Sequence, residues 1–328
     1  VSRRTAQILS RVGEPKQKLN ILTFDTHERY QSQMAKTGHN FYAFQAEQMK
    51  TWDERFASKP PNYYTLPNNT VYNGLDIDII LSQSKFGQYQ AAKKIQQVLQ
   101  VPLLCLEHTT PNSDWTEEKK QGLSECFSEH NVFITDFSAR QWRCPATYSV
   151  IPHSVDTHVF DTTKGARNFK VLSVVNQFSQ RDYCCNYEGW KRIVEGFDYL
   201  LIGDNPGLSS PANGIQHLAD IYRSSLIFLN TSTHSPLPTS MLEAMACGCA
   251  VVTTATCGIP EVIENGVNGF ISNDENELRG KIQYLLDNPA QARAMGERAR
   301  ETITRDFSEK VFINNWNQTF QAVYRSVK

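Results

Sequence analysis

The residues best placed to do chemistry lie between His234 and Thr253, in the stretch His-Ser-Pro-Leu-Pro-Thr-Ser-Met-Leu-Glu-Ala-Met-Ala-Cys-Gly-Cys-Ala-Val-Val-Thr. Pro236 and Pro238 break its first half into a loop, and Thr239 and Ser240 carry side chains able to cap a helix. Met241, Leu242, Ala244, Met245 and Ala246 then read as a short helix stopped by Gly248. A helix start offers unpaired backbone N–H groups and a partial positive charge, which suits a phosphate, while Glu243 could accept hydrogen bonds from ribose hydroxyls. The same residues also describe an ordinary capped core helix, and local chemistry leaves both readings open. Ala250, Val251 and Val252 continue as a buried parallel strand, so the stretch forms half of a nucleotide-binding fold.

Other candidates sit at predicted strand ends. Glu107-His108-Thr109-Thr110-Pro111 follows a strand over Val101 to Leu106, at the carboxyl end where α/β sheets place ligands. His108 is therefore a candidate contact, with a polar surface histidine as the plain alternative. Gly203-Asp204-Asn205 is a strand-end turn suited to lie near a base or ribose. Arg181 has a guanidinium able to grip phosphate through two parallel hydrogen bonds, and its alternative is a solvated surface arginine. Asp25 and His27 could contact an acceptor, or Asp25 could merely cap a polar strand end.

The elements that position these residues alternate along the chain. Strands are expected at Ile21 to Phe24, Phe41 to Phe44, Asp76 to Leu81, Val101 to Leu106 and Val132 to Thr135, with helices at Glu28 to Lys36, Gln88 to Gln100, Trp115 to His130 and Phe137 to Trp142. In the Gln88 helix, Ala91, Ala92, Ile95 and Val98 or Leu99 face inward. Residues 45–74 show no periodicity and read as a loop-rich segment whose Trp52, Phe56, Tyr63, Tyr64 and Tyr72 either line an acceptor site or fill a core. A second set of strands runs from Phe169 to Val175, Tyr199 to Gly203 and Leu226 to Asn230. Helices are expected from Tyr187 to Phe197 and from Ile215 to Tyr222. Three helices follow Phe270, the last carrying Phe312, Trp316, Phe320 and Val323 on one stripe. The fold class is α/β, and no internal repeat interrupts it.

At 328 residues there is room for two domains with their own cores. A net charge of -1 provides no broad basic field, which makes nucleic acid an unlikely partner. No apolar run is long enough to span a membrane, and Val1 to Asn20 lack a signal-peptide core. The expectation is a cytoplasmic protein, with peripheral membrane contact possible and a leader ahead of Val1 left open. The first eighteen residues, with Arg3, Arg4, Arg11, Lys16 and Lys18, read as a mobile or docking arm. The eight cysteines lack paired Cys-x-x-Cys clusters and read as reduced structural thiols, and no metal site is expected.

Leu-Glu-Ala-Met-Ala-Cys-Gly, a small residue and Val-Val, followed by Thr-Ala-Thr-Cys-Gly-Ile-Pro-Glu-Val-Ile-Glu-Asn-Gly-Val-Asn-Gly-Phe at 254–270, closely resemble the signature of retaining GT-B glycosyltransferases of the glycogen-synthase-like class. Glu28 to His39 is similar to the family's first helix and turn, and Ser149 to Phe160 to its interdomain link, with His153 and Ser154 replacing Asn and Gly. The resemblance implies two Rossmann-like domains facing across a cleft. Residues 1–155 would form the acceptor side and 156–305 the nucleotide-sugar side, with a hinge near 153–168, and 306–328 would pack back on the first domain.

It also implies roles. His108 would face the transferred sugar, and Asn176 and Arg181 stand where the family offers an arginine and a lysine to the donor diphosphate. Gly203, Asp204, Ser235, Pro238, Thr239, Ser240 and Glu243 complete the implied donor site. Three departures stand out: Asn176 loses one positive charge, Asp25-Thr26-His27 replaces a glycine-rich loop, and Ser235 replaces the first of two glutamates. The implied reaction moves a sugar from a UDP- or GDP-sugar to an acceptor hydroxyl of a glycan, lipid, protein or modified base. Anomeric configuration is retained, and neither metal nor cofactor takes part. The alternatives are a catalytically silent nucleotide-sugar-binding protein and a glycosyltransferase acting on modified DNA.

Overall fold

The computed structural model describes residues 16–72, 74–112, 114–162 and 167–326. Most of the basic arm, including Arg3, Arg4 and Arg11, and part of the hinge, 163–166, lie outside the described residues. The chain divides into two units: 1–134, 139–152 and 310–328 form the first, and 135–138 with 153–309 the second.

The first unit begins with β1 (Asn20–Thr23), α1 (Glu28–Ala35), β2 (Asn40–Gln45), β3 (Tyr63–Asn68) and β4 (Ile79–Ser82). It continues with α2 (Gln88–Leu99), β5 (Leu103–Glu107), α3 (Glu117–Ser124), β6 (His130–Phe133), the second half of α4 (Asp136–Gln141), whose first three residues count with the second unit, and β7 (Tyr148–Val150). These strands make one parallel sheet in the order β3-β2-β1-β4-β5-β6-β7. β4 and β5 are buried at every residue, as a parallel strand covered on both faces must be.

Two local expectations are corrected, and one alternative is decided. The loop-rich stretch 45–74 contains β3, an edge strand, which is where the backbone of Pro67 can be tolerated without losing a ladder donor. The helix expected from Trp115 to His130 shrinks to α3, which buries none of its residues and so has no apolar stripe to extend it. Within α2 the inward residue is Leu99, while Val98 is exposed.

In the second unit come β8 (Asn168–Val174), α5 (Asp182–Cys185), α6 (Tyr187–Val194), β9 (Tyr199–Ile202), α7 (Gly214–Ser224) and β10 (Ser225–Asn230). They are followed by α8 (Thr239–Ala246), β11 (Ala250–Thr253), β12 (Phe270–Ile271), α9 (Glu275–Asp287) and α10 (Pro289–Asp306). Its parallel sheet has the order β12-β11-β10-β8-β9. Val171, Ile227, Leu229, Ala250 and Val252 pack with Ile193, Leu278 and Ile282 in a single core.

The last helix, α11 (Glu309–Arg325), lies on the first unit from Lys310 onward. Its Trp316 and Phe320 are fully buried, and Trp316 donates its indole N–H to the Tyr30 hydroxyl at 3.1 Å. Phe320 meets His39 edge-on at 5.5 Å.

Candidate functional site

The strand orders fix where each unit can hold a ligand. In an open parallel sheet the connections from two neighbouring strands diverge to opposite faces at the switch point, leaving a crevice outside their carboxyl ends. In the second unit that point lies between β8 and β10, because β8 is flanked by β9 on one side and β10 on the other. The chain leaving β8 carries Asn176 to Arg181, and the chain leaving β10 carries the loop into α8. The topology therefore brings Arg181 and Thr239 to the two lips of one crevice.

Hydrogen bonds lace these lips together. Arg181 precedes α5, and the carbonyls of α5 accept from the β10 loop: Thr233 N and His234 N reach Cys184 O at 2.9 and 3.2 Å, and the Thr231 hydroxyl reaches Cys185 O at 2.8 Å. The guanidinium-bearing residue is exposed, while Thr231 and Ser232 beside it are buried.

α8 opens differently from the sequence expectation. Its N-cap is Pro238 rather than Thr239 or Ser240, which are instead the first two helical residues, and Pro238 gives the first turn no side-chain hydrogen bond. The reason is local: Pro238 has an extended backbone (φ -66°, ψ 119°) and offers no hydroxyl or carboxylate to the turn. The amino end thus keeps backbone N–H donors and the positive end of the dipole for an anion. At the other end, Arg167 donates to Cys247 O at 2.6 Å and Arg300 to Ala246 O, so the negative end is answered by two cations. Glu243 is buried within α8 and accepts from the Tyr222 hydroxyl at 3.1 Å. Ser235 is half-buried in the preceding loop.

Gly203, Asp204 and Asn176 are brought together. Asp204 N donates to Asn176 Oδ1 at 2.9 Å, and Gln177 N donates to Asp204 O at 2.8 Å. Gly203 has φ +145°, and a Cβ there would stand 1.9 Å from Val175 O, so only glycine fits. Asn205, buried, ties the two turns: its Nδ2 donates to Val175 O at 2.8 Å and its Oδ1 accepts from Phe178 N at 2.7 Å. Sequence reading placed Asn205 only in a turn, since its partners lie some thirty positions away.

In the first unit the switch point lies between β1 and β4, and the residues after β1, β4 and β5 converge there. His108 stacks on His27, with ring centroids 5.4 Å apart, and its Nε2 lies 3.4 Å from Gln83 Oε1. Tyr30 meets His108 edge-on at 4.9 Å. His27 caps α1, its Nδ1 accepting from Tyr30 N at 3.4 Å. Burial and the nearby Lys50 ammonium hold the His27 imidazole below its ordinary pKa, so it stays neutral at pH 7. Gln83 and Tyr30 escaped the sequence reading; Gln83 was signalled only by its place just past the end of β4.

Asp25 has a different surrounding. It is 2% exposed, and its carboxylate accepts from Gln45 Nε2, Trp52 N and Tyr63 Oη at 2.9, 2.9 and 2.8 Å. These bonds fasten the 45–63 segment to the end of β1. Among the described residues no three His, Cys, Asp or Glu side chains converge as a metal-binding group, and no helix is long and apolar enough to cross a membrane.

Residues 212–302, which contain α8 and the β10–β11 core, match the family described as Glycosyl transferases group 1. The chain thus carries a group 1 glycosyl transferase segment. Over 160 residues it is 28% identical to N-acetyl-alpha-D-glucosaminyl L-malate synthase of Bacillus anthracis, a match covering 43% of this chain and 42% of that protein. The chain thus spans less than half the length of that curated relative.

Solved glycosyltransferase structures share the fold. Sucrose-phosphate synthase from Thermosynechococcus elongatus gives a TM-score of 0.75 at 14% identity, covering 94% of this chain and 99% of that one. HepE from Anabaena in complex with UDP gives 0.71 at 14% identity, covering 93% of this chain and 100% of that one, and a further HepE structure holds UDP-glucose. The fold of the chain is therefore GT-B, α/β with two parallel sheets.

Proposed function

We propose that the chain transfers a sugar from a nucleotide-sugar donor to an acceptor hydroxyl, with retention of configuration and without a metal. The observation that carries the reading is the β8/β10 crevice, with the uncapped amino end of α8 on one lip and Arg181 on the other. Charge that develops on a leaving diphosphate would be met there by donors already in place, which lowers the barrier without reorganisation. Asn176, Gly203 and Asp204 border the same crevice on the β9 side and serve the base or ribose, as does Glu243 from within α8. The acceptor proton passes to the departing phosphate oxygen, so no protein nucleophile is needed. His108 contacts the sugar as positive charge grows on its ring. That HepE holds UDP and UDP-glucose favours a uridine donor.

Ser235 and Asn176 support a second reading. Where the resemblance calls for a glutamate there is a hydroxyl, which can hydrogen-bond but supplies no negative charge, and the Asn176 oxygen is spent on Asp204 N. A protein that binds nucleotide sugars without turning them over would carry these changes.

Incubation with UDP-, GDP- and ADP-sugars separates the readings. Slow donor hydrolysis together with protection against thermal unfolding supports the enzyme. Protection alone supports the silent binder, and no protection by any donor overturns both.

A further inference from the structure

Glu107, one residue before His108, sits in surroundings that the donor chemistry does not explain. It is 5% exposed, at the carboxyl end of β5. Its Oε1 accepts twice from Thr109, from the backbone N at 2.9 Å and from the hydroxyl at 2.7 Å, closing a tight turn around His108. The far side of that turn is pinned as well, since Trp142 Nε1 donates to Thr109 O at 2.9 Å. Oε2 is buried and takes no hydrogen bond among the described residues.

Lys85, 4% exposed, and Glu107 line one cavity of about 10 Å³, the space a single water molecule needs. Lys85 donates to Cys126 O at 2.8 Å and stands 3.4 Å from the centre of the Phe127 ring. Ser82, Ser84, Tyr89 and Asn131 add further polar groups to the wall. A buried carboxylate is costly unless it is paired or hydrogen-bonded, and Glu107 has the Thr109 donors on one side and Lys85 on the same cavity. Burial pushes the Glu107 carboxyl up, and the Thr109 donors and the Lys85 charge pull it back.

We propose that Glu107 is the positioning residue for His108: its carboxylate, which lines a water-sized cavity together with Lys85, locks the Thr109 turn and thereby sets the direction in which the imidazole leaves the sheet. The importance of this lock for turnover rests on the sugar-contact role given to His108 above; the lock itself does not.

The test uses the full chain with ¹³C-labelled histidine, the His108 resonance being assigned from its loss in His108→Ala. Thr109→Val removes one donor and keeps the branched shape, while Glu107→Gln removes the charge and keeps the size. Each is expected to shift the His108 ring resonance and to lower kcat by about tenfold or more, with donor affinity unchanged, because a displaced contact group costs rate rather than binding. Thr109→Ser, which restores the hydroxyl, is expected to recover both. Should Glu107→Gln fail to fold, Thr109→Val decides. A folded Thr109→Val with an unmoved His108 resonance overturns the proposal. A shifted resonance with unchanged kcat leaves the lock standing and contradicts the role given to His108.

Discussion

The imidazole of His27 lies over that of His108 with only 19° between the ring planes, while Tyr30, held by Trp316, presses on His108 from the edge. Burial and the Lys50 ammonium keep the His27 ring neutral in this stack. His27→Phe is expected to keep a flat ring against His108 and to retain turnover. It loses the α1 cap at a cost of about 1 kcal/mol. His27→Ala removes ring and cap together and is expected to lower kcat as well, read from initial rates on the two purified variants.

The roles proposed for Arg181 and His108 separate binding from turnover. Arg181→Ala is expected to weaken nucleotide affinity about 10- to 100-fold, the worth of one or two hydrogen bonds to a charged phosphate. His108→Ala is expected to leave affinity unchanged and to lower kcat on the order of 100-fold. Calorimetric titration and donor turnover on both variants check the split, and the reverse pattern would contradict it.

Gly203→Ala places a Cβ where Val175 O already stands, in a backbone conformation that side chains rarely adopt. The expected cost is on the order of 2 kcal/mol in stability. Because Asp204 and Asn176 share the disturbed turn, nucleotide affinity is expected to fall with it. Urea unfolding and titration on the same sample read both effects.

Acid is expected to loosen the first unit through His39. This histidine is 3% exposed, its Nδ1 accepts from Leu19 N at 3.2 Å, and burial pushes its pKa from the ordinary 6.5 down to about 4. Between those values the unfolded chain binds a proton that the folded chain refuses. The neutral ring's stabilisation is therefore complete above pH 6.5 and is lost as pH falls towards 4. The full effect is about 3 kcal/mol. His39→Asn, which keeps an acceptor for Leu19 N and does not titrate, is expected to flatten the pH dependence of the unfolding midpoint across that range.

Much of this arrangement was legible in the sequence, and the rest was hidden for identifiable reasons. Ala250-Val251-Val252 after Gly248 announced a buried parallel strand, and Gly248 does take the left-handed conformation (φ +73°) that stops α8. β3 was hidden because only Tyr63 and Leu66 point inward, a spacing of three that a register irregularity between Ala43 and Gln45 imposes. Asp25 could be seen to close β1, yet its partners Gln45, Trp52 and Tyr63 come from a stretch without periodicity. The bare start of α8 was misread because Thr239 and Ser240 are strong caps by type, and only the backbone shows that Pro238 holds that place. Glu107 gave no sign at all, since its counter-charge Lys85 follows a different strand.

The claim on which the rest depends is that the amino end of α8, opposite Arg181, grips the donor diphosphate. It is tested most directly by following the backbone amide resonances of Thr239 and Ser240 while UDP-glucose is titrated into the full chain. The account predicts that both amides shift downfield along one saturation curve, and that Arg181→Ala moves that curve to about tenfold or more higher ligand concentration. UDP-glucose that binds while both amides stay still, or fails to bind where no other nucleotide sugar moves them, would contradict it.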